Sequence, residues 1–183
     1  MMLYYRKDMF KENDIKPEDL TTWDDFEKVG AALAKKGQRF MAMDPSFFEV
    51  VLRQRGSDLF NSKGEFLPDF EIAVETLEWI QGLSKKEIAL VPDRGTIFDP
   101  VFFSGDVESG EILCVPGADW YGLDLIQQFA PHMKGEWGFM PLPAWVHEGK
   151  AGPRTSTFAG QGLLIYKESK AIDKCWDFMQ FVI

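Results

Sequence analysis

The chain has 183 residues, of which 45% are hydrophobic, and its 20 Lys and Arg against 29 Asp and Glu give a formal net charge of -9. This composition is typical of a globular protein with one core or at most two small ones. The acidic charge argues against a nucleic-acid partner, because no basic stripe is present to displace counterions from phosphates. The longest apolar runs are far too short to cross a bilayer.

The spacing of apolar and turn residues predicts short strands that alternate with helices, which is the pattern of the α/β class. Strands are predicted at residues 3–5, 40–43, 112–115, 138–143 and 155–166. Helices are predicted at residues 7–12, 22–37, 47–54, 70–85, 101–108 and 167–183, and a further helix that follows a turn at 117–120 is predicted to end near residue 129. The first strand follows Met1 and Met2 without the basic region or cleavage site of a secretory signal, so no signal peptide is predicted.

Two of these helices carry more detailed predictions. Thr22 stands before the second helix with Asp25 three residues further on, which is the spacing of a capping box with Asp in place of the usual Glu or Gln. The helix at 70–85 is predicted to bury one face, because its apolar residues recur at helical spacing. That face consists of Ile72, Val74, Leu77, Ile80 and Leu83.

The residues that most often carry catalysis or bind metals give little signal. Cys114 and Cys175 lie in segments of different predicted type and have no metal-ligand spacing, so each is predicted to be a buried free thiol. His132 and His147 lie in loop-like segments, which favours solvated side chains over general bases or metal ligands. The sequence contains no phosphate-binding loop, zinc-protease motif or serine-nucleophile motif, and neither a metal nor a cofactor is predicted.

Two turns place an acidic residue and aromatic residues directly after a predicted strand. Asp44 precedes Phe47 in one turn, and Asp119 precedes Trp120 and Tyr121 in the other. In open α/β sheets, ligands bind outside the carboxyl ends of the strands. An indole packs on the C–H face of a sugar while a carboxylate accepts hydrogen bonds from its hydroxyls, although such rings can equally be core residues. Together the two turns predict a polar, aromatic-lined cleft.

A glycoside-cleaving enzyme is the alternative from a different functional class. Hydrolysis of a glycosidic bond needs two carboxyl groups at a defined separation, and Asp44 with Asp119 is one possible pair. Because the chain has 29 acidic residues, such a pair also arises easily by chance.

Four stretches of the sequence resemble the extracellular solute-binding proteins of family 1, the sugar-binding subunits of bacterial ABC importers. They are residues 3–10, residues 21–26, residues 117–120 with 137–143, and residues 160–170 with 175–178. In order, they resemble the family's Tyr and Lys-Asp-Leu-Phe start, its Thr-Trp-Asp-Glu-Phe helix start, its Gly-Asp-Trp turn with a later Met-Pro-Leu-Pro strand, and its Gly-Gly strand with the following helix. Their order and spacing match over essentially the whole chain.

Two positions depart from the family pattern. The Gly-Asp-Trp turn has one inserted residue and reads Gly117-Ala118-Asp119-Trp120. The Trp-Gly-Gly of some members is replaced by residues 158–160, Phe-Ala-Gly, which indicates an altered sugar contact.

The resemblance implies a fold and a division of the chain. Members have roughly twice this length and fold as two α/β lobes with the ligand between them, in a periplasmic-binding-protein type II-like fold. Residues 1–155 are then expected to form the second lobe, with a hinge strand near residues 2–6. Residues 156–183 are expected to be a hinge-crossing strand and helix that return to the first lobe.

The resemblance also implies a function, which is non-enzymatic binding of a carbohydrate for delivery to the membrane subunits of an ABC importer, outside the cytoplasm. The ligand-binding residues expected from the two turns and the family pattern are Asp44, Phe47, Asp119, Trp120, Tyr121, Phe158 and Gly160. A binder of a non-sugar solute such as a phosphorylated polyol is the alternative on the same fold, with Arg94 or Arg154 available for an anionic group.

The aromatic side chains of the last helix are expected to be partly exposed. Trp176, Phe178 and Phe181 would normally pack partly on the first lobe, and exposed aromatic residues at this density favour self-association. An oligomer, a swapped tail or a tail folded back on the lobe is expected.

Overall fold

A computed structural model describes residues 1–66, 68–92, 96–158, 160 and 162–183. Its strands are β1 (Met2–Arg6), β2 (Arg39–Ala42), β3 (Ala89–Leu90), β4 (Ile112–Gly117), β5 (Trp137–Pro141), β6 (Val146–His147) and β7 (Lys150–Ala151). Its α-helices are α1 (Lys7–Glu12), α2 (Trp23–Ala34), α3 (Phe47–Gln54), α4 (Phe70–Lys85), α5 (Pro100–Phe102), α6 (Gln127–Phe129) and α7 (Ile172–Val182). No helix in the described part of the chain is both long and apolar enough to span a membrane.

Several shorter helical segments complete the fold. The helix α5 continues as a π-helix over Phe103–Val107, and a second π-helix, Tyr121–Ile126, leads into α6. Single 3₁₀ turns are formed by Pro17–Asp19 and Pro131–Met133.

The main sheet has the strand order β3-β2-β4-β1-β5, and β6 and β7 form a separate hairpin. The strands β3, β2 and β4 are parallel, whereas β1 pairs antiparallel with both β4 and β5. The α/β class is therefore confirmed. The predicted strand with prolines becomes the edge strand β5, a position where a missing N–H donor does not break a ladder.

Each face of the sheet has its own apolar cluster, because successive side chains of a strand point to opposite faces. In β1, Leu3 and Tyr5 pack in the first cluster, while Met2 and Tyr4 pack in the second. The first cluster lies beneath helices that include α1 and α2, and the second beneath the helical segments at 100–107 and 121–129.

The start of α2 is the capping box that the sequence predicts. The Asp25 backbone N–H donates to the Thr22 hydroxyl oxygen over 3.1 Å, and the Thr22 backbone N–H donates to the Asp25 carboxylate over 3.1 Å. The Thr22 hydroxyl also donates to that carboxylate over 2.7 Å. This hydrogen bond, more than any other contact, holds the pKa of Asp25 below its usual value.

The buried face of α4 differs from the predicted one. Leu83 is buried as predicted, whereas Val74 and Leu77 are exposed, and Ala73 and Thr76 take their place in the core. A buried threonine is tolerated because its hydroxyl donates to a carbonyl oxygen one turn earlier, over 2.7 Å. The helical spacing of large apolar residues therefore predicted the wrong face of α4, because its buried face is lined partly by small and hydroxyl-bearing side chains.

The strand predicted at 155–166 is wrong for the residues that the structure describes there, which form no strand. A strand needs a neighbour for its backbone hydrogen bonds, and none of β1 to β7 pairs with this stretch. Ala159 and Gln161 of the stretch lie outside the described residues.

The last helix, α7, starts later than predicted and buries none of its residues. This exposure agrees with the expectation that the aromatic side chains of α7 are not covered. The alternative expectation, that the tail folds back on the lobe and buries them, does not agree with it. Of the two cysteines, both are free, as predicted. Cys114 is buried in β4, and burial raises its thiol pKa, whereas Cys175 on α7 is only half-buried.

We expect Thr22→Ala to destabilise the protein by about 1 kcal/mol, because it removes the side-chain acceptor of the cap. For a chain of this size that lowers the melting temperature by roughly 2–4 °C. The difference in stability between the two proteins should be largest above the unfolded-state pKa of an aspartate. It should decrease as the pH falls through the lower, folded-state pKa of Asp25. Thermal unfolding at a series of pH values measures this.

Ser62→Ala is the control, because Ser62 is an exposed turn residue. An equal loss in both variants, or a loss in Thr22→Ala that does not change with pH, would show that the capping box does not stabilise α2.

Candidate functional site

The carboxyl ends of β3, β2 and β4 lie next to each other and carry the candidate site. The chain leaving β2 reaches Asp44, the chain leaving β4 reaches Asp119 and Trp120, and the loop after β3 carries Phe98. These strand ends open on a cavity of about 10 Å³, which is the space that a single water molecule needs. Its lining includes Asp44, Phe47, Ile97, Phe98, Trp120 and Phe158.

A larger cavity of about 380 Å³ lies elsewhere on the molecule. It is placed between the helical segment at 121–129 and the edge strand β5, and Tyr4, Trp137 and Phe139 are among its lining residues. The buried Trp137 Nε1 has no hydrogen-bond partner within the part of the chain that the structure describes. Position decides between the two cavities, because ligands of open α/β sheets bind beyond the carboxyl ends of the strands rather than beside an edge strand.

Asp44 is half-buried at the start of the turn that leads into α3. Its Oδ1 accepts a hydrogen bond from the Ser46 backbone N–H over 2.8 Å and another from the Ser46 hydroxyl. This is the local turn geometry that aspartate favours. Its second oxygen, Oδ2, has no protein donor among the described residues and remains free to accept a hydrogen bond from a ligand.

The turn after β4 brings Trp120 into the lining of the cavity, whereas its neighbour Asp119 is not among the lining residues. Asp119 is exposed and Trp120 is half-buried. The Tyr4 hydroxyl, which comes from the neighbouring strand β1, donates to the carbonyl oxygens of Ala118 over 2.8 Å and of Asp119 over 3.1 Å. This bond fixes the backbone of the turn from beneath.

Tyr121 is completely buried and supports the cavity from below. Its hydroxyl donates to the backbone carbonyl of Ile97, so it ties the turn after β4 to the loop that carries Phe98. Burial raises the pKa of Tyr121, and the nearby charge of Asp44 adds to the effect, which keeps the hydroxyl protonated as a donor. The turn needs glycine at 117, because a Cβ there would lie 2.7 Å from the Tyr121 side chain. The expectation that Tyr121 contacts ligand directly does not fit this burial.

Phe47 is also placed differently from its prediction as a stacking surface. Only 2% of its surface is exposed, and its ring packs edge-on against Trp23 with centroids 6.0 Å apart. Although Phe47 is among the lining residues, the first residues of α3 turn its ring into the core, so it has no free face for a sugar. The acidic residue of this turn faces the cavity, while the aromatic residue does not offer a platform.

Three aromatic rings form a row across the cavity. The Trp120 and Phe98 centroids lie 5.9 Å apart with 29° between the ring planes. The Phe98 and Phe158 centroids lie 6.4 Å apart with 10° between the planes. Phe158 was expected near the site, but Phe98 was missed, because the two-residue strand β3 that precedes it was not predicted. A short apolar run at 88–91 was the available signal.

Like Asp119, two further predicted residues in the described part of the chain, Gly160 and Arg154, do not line the cavity. Gly160 is exposed, and a Cβ added to it would meet no atom within 4 Å. Arg154 instead donates to the backbone carbonyl of Leu142 over 3.1 Å and of Leu20 over 3.0 Å, so its guanidinium holds two loops together. Arg94 lies outside the described residues.

Comparison with known proteins gives the family and the fold. The family model described as bacterial extracellular solute-binding protein matches residues 1–183. The chain is 26% identical to the arabinooligosaccharide-binding protein of Bacillus subtilis (strain 168) over 98% of its own length and 41% of that protein. It is also 26% identical to the lactose-binding protein of Rhizobium radiobacter, over 97% of this chain and 42% of that protein. The chain thus spans less than half the length of these curated relatives.

Solved structures show the same fold. The GacH receptor of Streptomyces glaucescens matches 98% of this chain and 45% of its own chain, with a TM-score of 0.69 and 20% identity. The galacto-N-biose-/lacto-N-biose I-binding protein of an ABC transporter from Bifidobacterium longum matches 98% of this chain and 44% of its own, with a TM-score of 0.69 and 20% identity. These structures have two lobes, and the chain corresponds to about half of each, which is one lobe.

We expect Tyr121→Phe to destabilise the protein by about 1–3 kcal/mol, because it leaves the buried Ile97 carbonyl without its donor. The backbone amide of Phe98 should also shift in NMR spectra, since the loop loses its tie to the turn after β4. Urea unfolding gives the free energy of unfolding.

The control is Tyr166→Phe, in which the hydroxyl removed is exposed. Equal stability of the two variants, with an unshifted Phe98 amide, would contradict the role assigned to the Tyr121 hydroxyl.

Proposed function

Because the chain belongs to the bacterial extracellular solute-binding protein family, we propose that it forms one lobe of a carbohydrate-binding protein of an ABC importer. The observation that carries the proposal is that Asp44 and the Trp120 indole line one cavity at the carboxyl ends of neighbouring parallel strands, with the exposed Asp119 next to Trp120 in the chain. The Bacillus subtilis relative is named for binding arabinooligosaccharides and the Rhizobium radiobacter relative for binding lactose, which supports a saccharide ligand.

The chemistry of the cavity favours an uncharged polyhydroxyl ligand. The Trp120 indole offers an apolar surface, and Asp44 Oδ2 can accept a hydrogen bond from a hydroxyl group. The exposed Asp119 carboxylate is the proposed second acceptor, just outside the lining. None of the described lining residues has a Lys, Arg or His side chain. An anionic solute such as a phosphorylated polyol would meet the Asp44 carboxylate there with no side-chain cation among the described lining residues to balance it, so this alternative is less favoured.

The proposed role is binding and not catalysis. One oxygen of Asp44 is engaged by Ser46 in the turn, and the relatives named above are binding proteins. The membrane subunits of the importer are the proposed partners, and the full-length protein is proposed to act outside the cytoplasm, as the family name implies.

This lobe supplies part of the proposed site, with Phe158 on its rim and Phe47 and Tyr121 beneath it. In a two-lobed protein the lobes close on the ligand by a hinge motion. If they share the contacts evenly, a micromolar site falls to roughly millimolar when one lobe acts alone, because three decades in affinity are about 4 kcal/mol. Direct binding to this chain is therefore expected to be weak and needs a method that detects millimolar affinity.

We expect the Trp120 indole N–H signal to shift saturably when the chain is titrated with arabinotriose, lactose or maltose in NMR experiments. Trp120→Ala should lower the affinity for the bound sugar about tenfold, because it removes an aromatic platform and its buried area. Asp119→Asn should lower it by roughly tenfold or more, because a hydrogen bond to a charged acceptor becomes one to a neutral acceptor.

Trp176→Ala is the matched control, since Trp176 is also partly exposed but lies on α7. Unchanged affinity in Trp120→Ala, or cleavage of a chromogenic glycoside by the chain, would contradict the proposed site or the proposed class of function.

The proposal for the chain's last part is that residues 156–183 cross to the other lobe, with residues 1–155 forming the second lobe and β1 (Met2–Arg6) its hinge strand. Its support is the exposure of Trp176, Phe178 and Phe181, at 53%, 62% and 84%. Aromatic side chains this exposed are typical of a surface that packs on a partner. When the other lobe is absent, a second copy of the chain can cover this face instead.

We expect light scattering to give this chain a mass above its monomer value of 20.9 kDa. The double substitution Phe178→Ser with Phe181→Ser should return it to the monomer, because it removes the apolar face of α7. Phe139→Ser, at an exposed position on β5, is the control and should leave the mass unchanged. A monomer before substitution, or a mass that does not respond to the double substitution, would contradict association through α7.

A further inference from the structure

The ring of Phe158 lies almost parallel to the ring of Phe98, with 10° between the planes and 6.4 Å between the centroids. This is the offset-stacked arrangement that aromatic pairs favour. The other neighbour of Phe98 in the row is Trp120. The free space that remains at the site is about 10 Å³, whereas pockets for small ligands start at about 300 Å³. The described structure therefore fills this site largely with its own side chains.

Hydrogen bonds hold the backbone just before Phe158 against the lobe. The Ser156 hydroxyl donates to the Val50 carbonyl over 2.6 Å, and the Ser156 carbonyl accepts from the Met1 amino group over 2.9 Å. The Thr157 carbonyl accepts a longer bond of 3.5 Å from Arg53. Since these bonds involve residues 156 and 157, the Phe158 side chain can rotate away from Phe98 without breaking any of them.

We propose that Phe158 is an internal occupant of the site: its ring covers the face of Phe98 that a sugar ring takes when ligand binds. This inference rests on the proposed function, and it adds Phe98 to Trp120 as a carbohydrate-stacking residue. An aromatic ring and the C–H face of a sugar ring both present a flat apolar surface, so they compete for one platform. A ligand that displaces Phe158 must replace the contact between the two phenyl rings, and this lowers its apparent affinity.

The test compares the affinities of variants of the chain for the sugar of the panel, arabinotriose, lactose or maltose, that binds best. Phe158→Ala should bind that sugar about 2- to 10-fold more tightly, because an aromatic pair of this geometry no longer has to be separated. Phe98→Ala should bind it several-fold more weakly, because the platform is lost. If Phe158 were an ordinary contact, its removal would weaken binding as the removal of Trp120 does.

Phe66→Ala is the matched control. Phe66 and Phe60 form an exposed aromatic pair with centroids 5.8 Å apart, outside the lining of the site, and breaking that pair should leave sugar affinity unchanged. Weaker or unchanged binding by Phe158→Ala overturns the inference.

A second measurement separates this inference from the proposed function. Without ligand, the Phe158 ring protons should be shifted upfield by the Phe98 ring current and should return to ordinary values in Phe98→Ala. At saturation with sugar, the same signals should move to ordinary values in the unsubstituted chain. Ring signals that keep their shift while sugar binds overturn the displacement and leave the proposed function standing. Absence of sugar binding in both the unsubstituted chain and Phe158→Ala overturns both.

Discussion

Two tyrosine hydroxyls hold the edge of the sheet on which the candidate site is built. Tyr4 donates from β1 to the turn that presents Asp119, and Tyr121 donates from beneath that turn to the loop that presents Phe98. Burial raises the pKa of both phenols, so both stay protonated and continue to donate. Without the Tyr121 bond, the buried Ile97 carbonyl would lose its donor, at the cost of burying an unpaired polar group. Without the Tyr4 bonds, the Ala118 carbonyl would keep only the backbone N–H of Tyr121. The position of the site residues therefore depends on buried hydroxyl groups that bind the backbone of the neighbouring segments.

The same constraint explains which parts of the fold and of the site could be predicted from the sequence. Local signals were sufficient for the capping box at Thr22 and Asp25 and for the bounds of α1, α3 and α4, because caps and turns are set by residues close in the chain. Strand ends could be anticipated as well, and this is why Asp44 and Trp120 were expected at the cavity that they line, while their role in binding stays a prediction. The contacts of Tyr4 and Tyr121 join segments far apart in sequence, and no spacing pattern indicates them.

The errors share one physical origin. Whether a side chain points into the core or towards solvent depends on which elements pack against it. Phe47 looked like a platform after a strand, but α3 turns its ring into the core against Trp23. Val74 and Leu77 fit a helical stripe, yet the stripe that meets the sheet is lined by smaller side chains. The residues at 155–166 are strand-like in composition, but a strand exists only where another offers its backbone. Phe98 was missed because β3, with two residues, is too short to show a period.

The row of aromatic rings connects the proposed site to the part of the chain proposed to cross between lobes. Phe158 follows the anchored residues Ser156 and Thr157 and precedes the segment that leads to α7. A ligand that displaces its ring changes the contacts of this segment as well as those of the cleft. Because a ligand shifts a conformational equilibrium by its difference in affinity for the two states, a residue that packs on the site in one state and leaves it in the other can supply that difference. In the proposed displacement, Phe158 therefore couples ligand binding to the crossing segment.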